Sequence, residues 1–155
     1  MPESSQNNFF ELSDAESAIR EVLDSGGEFE FRPRGTSMLP LIKEGRDSVT
    51  IVKPCGRLKR GDVALYKRSN GKFVLHRVIK VLPEEYFMCG DNQAIPERGI
   101  TDGQIIAVAS KFRIDGILYA ADAKKLVRYE KRRRNLLLRR ISLGIKRRLK
   151  NKTQS

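Results

Sequence analysis

Between Glu28 and Tyr119 the chain keeps returning to a period of two, in segments too short to be anything but strands. Phe29 and Phe31 alternate with Glu28, Glu30 and Arg32, and Val49 and Ile51 alternate within residues 47–53. Residues 62–67, 72–82, 85–89 and 104–114 read the same way, and Ile117-Leu118-Tyr119 closes the series. Turn chemistry separates them. Ser69-Asn70-Gly71 predicts a hairpin with a type I′ turn, because Asn-Gly accepts positive φ at both central positions, and Asp115-Gly116 predicts a second hairpin. Many short strands with glycine-rich turns specify a mostly β body.

Helices are confined to the two ends. Ser13-Asp14-Ala15-Glu16 has the form of a capping box, Ala15, Ile19, Val22 and Leu23 follow at helical spacing, and Gly26-Gly27 stops the helix. Residues 1–11 read as a flexible lead-in, residues 12–121 as one domain, and residues 122–155 as a basic helical tail. The charge supports that division. From Ala123 onward there are 14 Lys/Arg and a single acidic residue, Glu130; the whole chain is +12, so residues 1–122 carry only −1. Whatever the positive charge does, the tail does it. Within the tail Leu137, Leu138, Ile141, Ile145 and Leu149 form an apolar stripe opposite Arg139, Arg140, Lys146, Arg147 and Lys150. A basic helix with such a stripe is expected to lie on an anionic membrane surface. Nucleic acid is the weaker candidate, since Tyr129 is the tail's only aromatic and no base-stacking platform is visible.

Other features bound the compartment and exclude whole classes. Met1 to Asn8 is polar with no apolar run behind it, and no window approaches the roughly 18 apolar residues that span a bilayer. Cys55 and Cys89 are far apart and match no metal spacing, which fits a reducing environment. The expectation is a cytoplasmic protein, peripheral on the inner face of the membrane, with no metal or organic cofactor.

Two residues stand out chemically. Ser37 lies in Gly35-Thr36-Ser37-Met38-Leu39-Pro40, where the glycine permits a tight turn and the proline leaves strand geometry. His76, the one histidine, lies in Val74-Leu75-His76-Arg77-Val78 and shares a strand face with Val74 and Val78. A serine hydroxyl is a poor nucleophile unless a base stands within hydrogen-bond reach. Each has a plain alternative: a turn serine, and a histidine satisfied locally in the core.

The Ser-Met-x-Pro segment, the Gly61-Asp62 strand start, the His76-Arg77-Val78 strand and Gly90-Asp91-Asn92 together resemble the signal peptidase I family. The resemblance covers residues 29 to 108. It is closer to the branch with a histidine base, as in archaeal and endoplasmic-reticulum signal peptidases, than to the lysine branch; LexA-type self-cleaving repressors share the serine segment. It implies a signal peptidase/LexA-like β-fold and a serine endopeptidase that cleaves a precursor protein after a small residue. Ser37 would be the nucleophile, His76 the general base and Asp91 the group that holds the imidazole, with Asp102 and Glu97 as other candidates for that third role. The oxyanion would rest on the backbone N–H of Ser37 with Thr36 as helper. The chain departs from the family in lacking a hydroxyl two residues before the serine, where Gly35 stands, in Arg46 inserted before Asp47, and in having no apolar anchor. The alternative is a non-enzymatic or self-cleaving regulatory module of the same fold that binds membrane or nucleic acid through its tail. The self-cleaving form has little support, because no helix-turn-helix and no Ala-Gly bond precede Ser37. Oligomeric state and the identity of the substrate are not legible.

Overall fold

The structure, a computed structural model, describes residue 12 and residues 14–135. Among them are a helix α1 (Glu16–Asp24), eight strands and a second helix α2 (residues 124–135). The strands are β1 (Phe29–Phe31), β2 (Ser48–Val52), β3 (Val63–Lys67), β4 (Phe73–Val81), β5 (Tyr86–Cys89), β6 (Glu97–Ile100), β7 (Ile105–Ile114) and β8 (Ile117–Ala120). A single 3-10 turn (Asp102–Gln104) leads into β7. Every pairing is antiparallel, in the order β1-β2-β7-β3-β4-β5-β6, with β8 folded back on β7. The mostly β architecture with a helix at each end is thus what the periodicity implied.

Alternation along the strands divides the sheet into two apolar clusters. Val63 and Leu65 of β3 point to one side, where they meet Val49, Ile51, Leu75, Ala107 and Phe112. Ala64 and Tyr66 point to the other, with Val78, Tyr86, Met88 and Ile100. Helix α1 closes the first cluster with Ile19 and Leu23, four residues apart on one face. The serine segment contributes to the same cluster: Met38, Leu41 and Ile42 are buried in it. Burying each such side chain stabilises by about 1.5–3 kcal/mol, so the loop carrying Ser37 is pinned immediately behind the serine.

Some local expectations change. Ser13 of the proposed capping box lies outside the described residues; the helix starts at Glu16 with Ala15 in the cap position and no side-chain cap. The Glu16 carboxylate pairs with Lys67 at 2.8 Å and Arg20 at 3.0 Å. At the first hairpin only Gly71 has positive φ, +85°. Gly71 donates to the Arg68 carbonyl, and Lys72 donates to the Asn70 side chain, so the turn is a type I turn closed by a bulge glycine instead of type I′. At the second, Asp115 and Gly116 have φ of 50° and 79°, the type I′ signature.

The basic segment begins inside the body. Leu126 of α2 is buried in the first cluster, and Ala123 and Tyr129 pack against it. Among the described residues no helix is long and apolar enough to cross a membrane. The stripe of Leu137, Leu138, Ile141, Ile145 and Leu149 lies outside the described residues.

Candidate active site

Ser37 and His76 line one open cleft of about 640 Å³, together with Arg34, Met38, Arg68 and Gln93. The serine sits in a loop whose entry is set by Gly35 at φ +85°, a conformation that costs a side-chain-bearing residue strain. Its carbonyl is held from behind. The Asn92 N–H donates to the Ser37 carbonyl at 2.9 Å, and the Asn92 side-chain amide donates to the Thr36 carbonyl at 3.2 Å. Gly90 lies so close that a Cβ there would stand 2.5 Å from the Ser37 carbonyl oxygen. Two members of the Gly90-Asp91-Asn92 segment are therefore explained by the backbone of the serine loop. The Ser37 N–H donates to no acceptor among the described residues, which leaves it available to an oxyanion; Thr36 beside it is exposed.

His76 is 3% exposed on β4, opposite Ala64 of β3 and diagonal to Tyr66. The Tyr66 hydroxyl lies 3.2 Å from His76 Nδ1 and donates its proton to Glu97 Oε2 at 2.8 Å. That single proton fixes the ring's tautomer. An ionised carboxylate only accepts, so the tyrosine proton goes to Glu97 and its oxygen must accept from Nδ1–H. Nε2 is then the lone-pair nitrogen, the one a serine base needs. Burial would raise the Glu97 carboxyl, but hydrogen bonds from Arg68, at 2.8 to 3.1 Å, and from Tyr66 outweigh it and keep it below its ordinary range. Burial and then the Glu97 carboxylate push the Tyr66 phenol up, so it stays a donor.

The imidazole itself is driven down to about 4, first by burial and then by the Arg68 guanidinium, with Glu97 and Asp91 opposing. His76 is neutral across the physiological range. No hydrogen bond joins it to Ser37 here; such bonds are often long in substrate-free enzymes and tighten when substrate binds.

Asp91 is not brought to His76. Its carboxylate makes a two-pronged pair with Arg77 at 2.8 Å on each oxygen and accepts from the Tyr129 hydroxyl of α2 at 2.9 Å. Arg77 also donates to the Gly61 carbonyl at 2.8 Å. Asp102 is turned elsewhere too, accepting from the Tyr86 hydroxyl and pairing with Arg57 at 3.3 Å. Of the three acidic candidates only Glu97 is linked to the histidine, through Tyr66. Sequence reasoning passed over Tyr66 and Arg68. The register of the β3–β4 hairpin contained the signal, since Tyr66 pairs with Val74, two residues from His76 on the same face.

The two cysteines lie in different settings. Cys89 is buried, and burial followed by Asp91 raises its thiol to about 11; Cys55 is exposed and unpaired with it. No protein-family model matches the chain, and no curated protein matches it as a relative.

Proposed function

We propose that this chain is a serine endopeptidase of the signal peptidase I type, with Ser37 as nucleophile, His76 as general base and Glu97, acting through Tyr66, as the group that orients the imidazole. One observation carries the reading: the only histidine is buried in the wall of the Ser37 cleft with Nδ1 committed to Tyr66, so that Nε2 is an acceptor. Ser37 Oγ attacks the scissile carbonyl while Nε2 takes its proton. The tetrahedral oxyanion is met by the Ser37 N–H with Thr36 beside it. His76 then returns the proton to the leaving amine as the C–N bond breaks, and water, deprotonated by the same nitrogen, hydrolyses the acyl-serine. Glu97 offsets part of the positive charge the ring acquires, and Arg68 works against it. The base is therefore weak, and the enzyme slow with a generic peptide. Cleavage after a small residue of a precursor protein, without metal or cofactor, follows from the family likeness.

The basic segment fits the same reading as a peripheral anchor on anionic membrane, through Leu137, Leu138, Ile141, Ile145 and Leu149 and the surrounding Lys/Arg. The test of the chemistry is labelling by a fluorophosphonate, which reports an activated serine without a known substrate. Wild type should label, and Ser37→Ala and His76→Ala should lose reaction by roughly 10⁴-fold or more. Labelling undiminished in Ser37→Ala rejects the assignment. A second reading, a non-enzymatic binding module of this fold, draws on the missing Ser37–His76 hydrogen bond. It would be favoured by a wild type that labels at no pH.

A further inference from the structure

Behind the serine loop, on the seam between α2 and the sheet, lies a second pocket that the peptidase reading does not use. It is small and opens to solvent, and four arginines line it: Arg60 from the turn before β3, Arg77 from β4, and Arg133 and Arg134 from α2. Two carboxylates share the lining, Asp91 and Glu130. Asp91 is already neutralised by Arg77 and hydrogen-bonded by Tyr129. Glu130 answers Arg134, at a loose 3.9 Å. Arg60 and Arg133 have no ion-pair partner among the described residues. Two guanidinium groups without an ion-pair partner, brought to the pocket by different elements, leave it a net positive site. Structural ion pairing alone does not explain it.

We infer that this seam pocket is an oxyanion site that takes a phosphate group, held by Arg60 from the turn before β3 and Arg133 from α2, with Arg134, loosely paired to Glu130, beside them. The chemistry favours phosphate over carboxylate. A guanidinium is a rigid fork that grips one edge of an oxyanion, and a tetrahedral phosphate offers several edges to forks from different directions, while a carboxylate offers one. The pocket is also wrong for a nucleobase. The aromatic ring beside it, Tyr129, already has Arg77 over its face at 5.8 Å, so no open stacking platform is present there. What is recognised is the phosphate itself, as free phosphate or as a lipid headgroup. Occupancy would tie α2 to the sheet at the point where Gly90 and Asp91, both in the pocket wall, adjoin the Ser37 loop.

The site stands apart from the peptidase reading, since neither Ser37 nor His76 belongs to it, and its test does not use activity. Thermal unfolding of the full chain would be followed against inorganic phosphate and, separately, against a water-soluble short-chain phosphatidic acid below its micelle concentration, with chloride adjusted to constant ionic strength. Arg60→Gln with Arg133→Gln is the control variant; Arg60 is exposed, Arg133 is half-buried, and neither has a partner to orphan. The expected result is a saturable rise in melting temperature of the wild type and binding weakened by more than about tenfold in the double variant. A response to inorganic phosphate identifies free phosphate as sufficient, and a response to phosphatidic acid alone identifies the headgroup; either supports the site. No shift with either ligand, or an equal shift in the double variant, overturns it.

Discussion

His76 is a histidine in an unusual place: buried on a β-strand, next to an arginine, with its charge opposed from two directions. The ordinary imidazole, near 6.5, predicts an activity that rises through neutrality. The geometry moves that rise. Fluorophosphonate labelling should already be on its plateau at pH 6 and fall only as the pH approaches about 4, where the ring finally takes a proton in the folded state. A half-maximum near neutrality would mean the ring is solvated and the network around it is not formed. The same shift has a stability consequence whose sign can be worked out. The unfolded chain protonates this histidine near 6.5 and the folded chain near 4, so between those values the unfolded state binds more protons and stability falls with falling pH. The full loss is about 3 kcal/mol, on the order of the shift at 1.36 kcal/mol per unit. Urea denaturation of His76→Gln, which cannot protonate there, should lack this component; parallel pH profiles for the two proteins would contradict it. Tyr66→Phe removes the acceptor of Nδ1–H and should slow labelling roughly ten- to hundredfold, a loss of about 1–3 kcal/mol. At this scale the sequence made Ser37 and His76 conspicuous by type and setting. It could not choose among Asp91, Glu97 and Asp102, because that choice depends on which carboxylate a hydroxyl across two other strands can reach.

The elements explain that limit. Strands β2, β3, β4 and β7 are long enough for alternation to register, and β5, though only four residues, is apolar throughout; all were legible. Strand β6, which carries Glu97, was not: it is four residues, Glu-Arg-Gly-Ile, with no apolar alternation, and it exists because it pairs with β5. Its position beyond the sheet's bulged β5 edge is what brings a carboxylate over Tyr66. The loop of residues 90–92 is the other decisive element. Its motif was readable, while its purpose was readable only once the Ser37 carbonyl was seen against Gly90. Gly90→Ala should therefore act on the serine at a distance in sequence. A methyl group 2.5 Å from a backbone oxygen must displace one loop or the other, costing about 1–3 kcal/mol and most of the labelling. Stability and labelling both at wild-type levels in Gly90→Ala would show that the loops do not adjoin.

Over the whole molecule, charge and fold are less separate than composition suggests. The basic segment reads as one tail because its Lys and Arg outnumber everything else, and that density conceals Leu126 and Tyr129, which dock its first turns onto the body. Leu126→Ala should cost about 2–5 kcal/mol in denaturant unfolding, as a core leucine does and a tail residue does not. A value near zero would make α2 an appendage. For residues past 135 the sequence alone supports a prediction: flotation with anionic vesicles should weaken as salt rises, and should fall in Ile141→Ser with Ile145→Ser although no charge changes. Tight RNA binding without flotation would reject the membrane anchor.

The order of pairing in the sheet also sets a clock. Strand β2 lies between β1 and β7, and β3 lies between β4 and β7, so the two earliest parts of the sheet have no common partner until residues near 105–114 have been made. Met38 and Ile42 are buried in one apolar cluster with Ile106, Ala107, Ala109 and Phe112 of that same late strand. A growing chain thus carries its serine for many residues before the strand that shares the serine loop's apolar cluster has been made. On the peptidase proposal the chain is born unable to cut, and a strand made long after Ser37 helps to give the serine its footing.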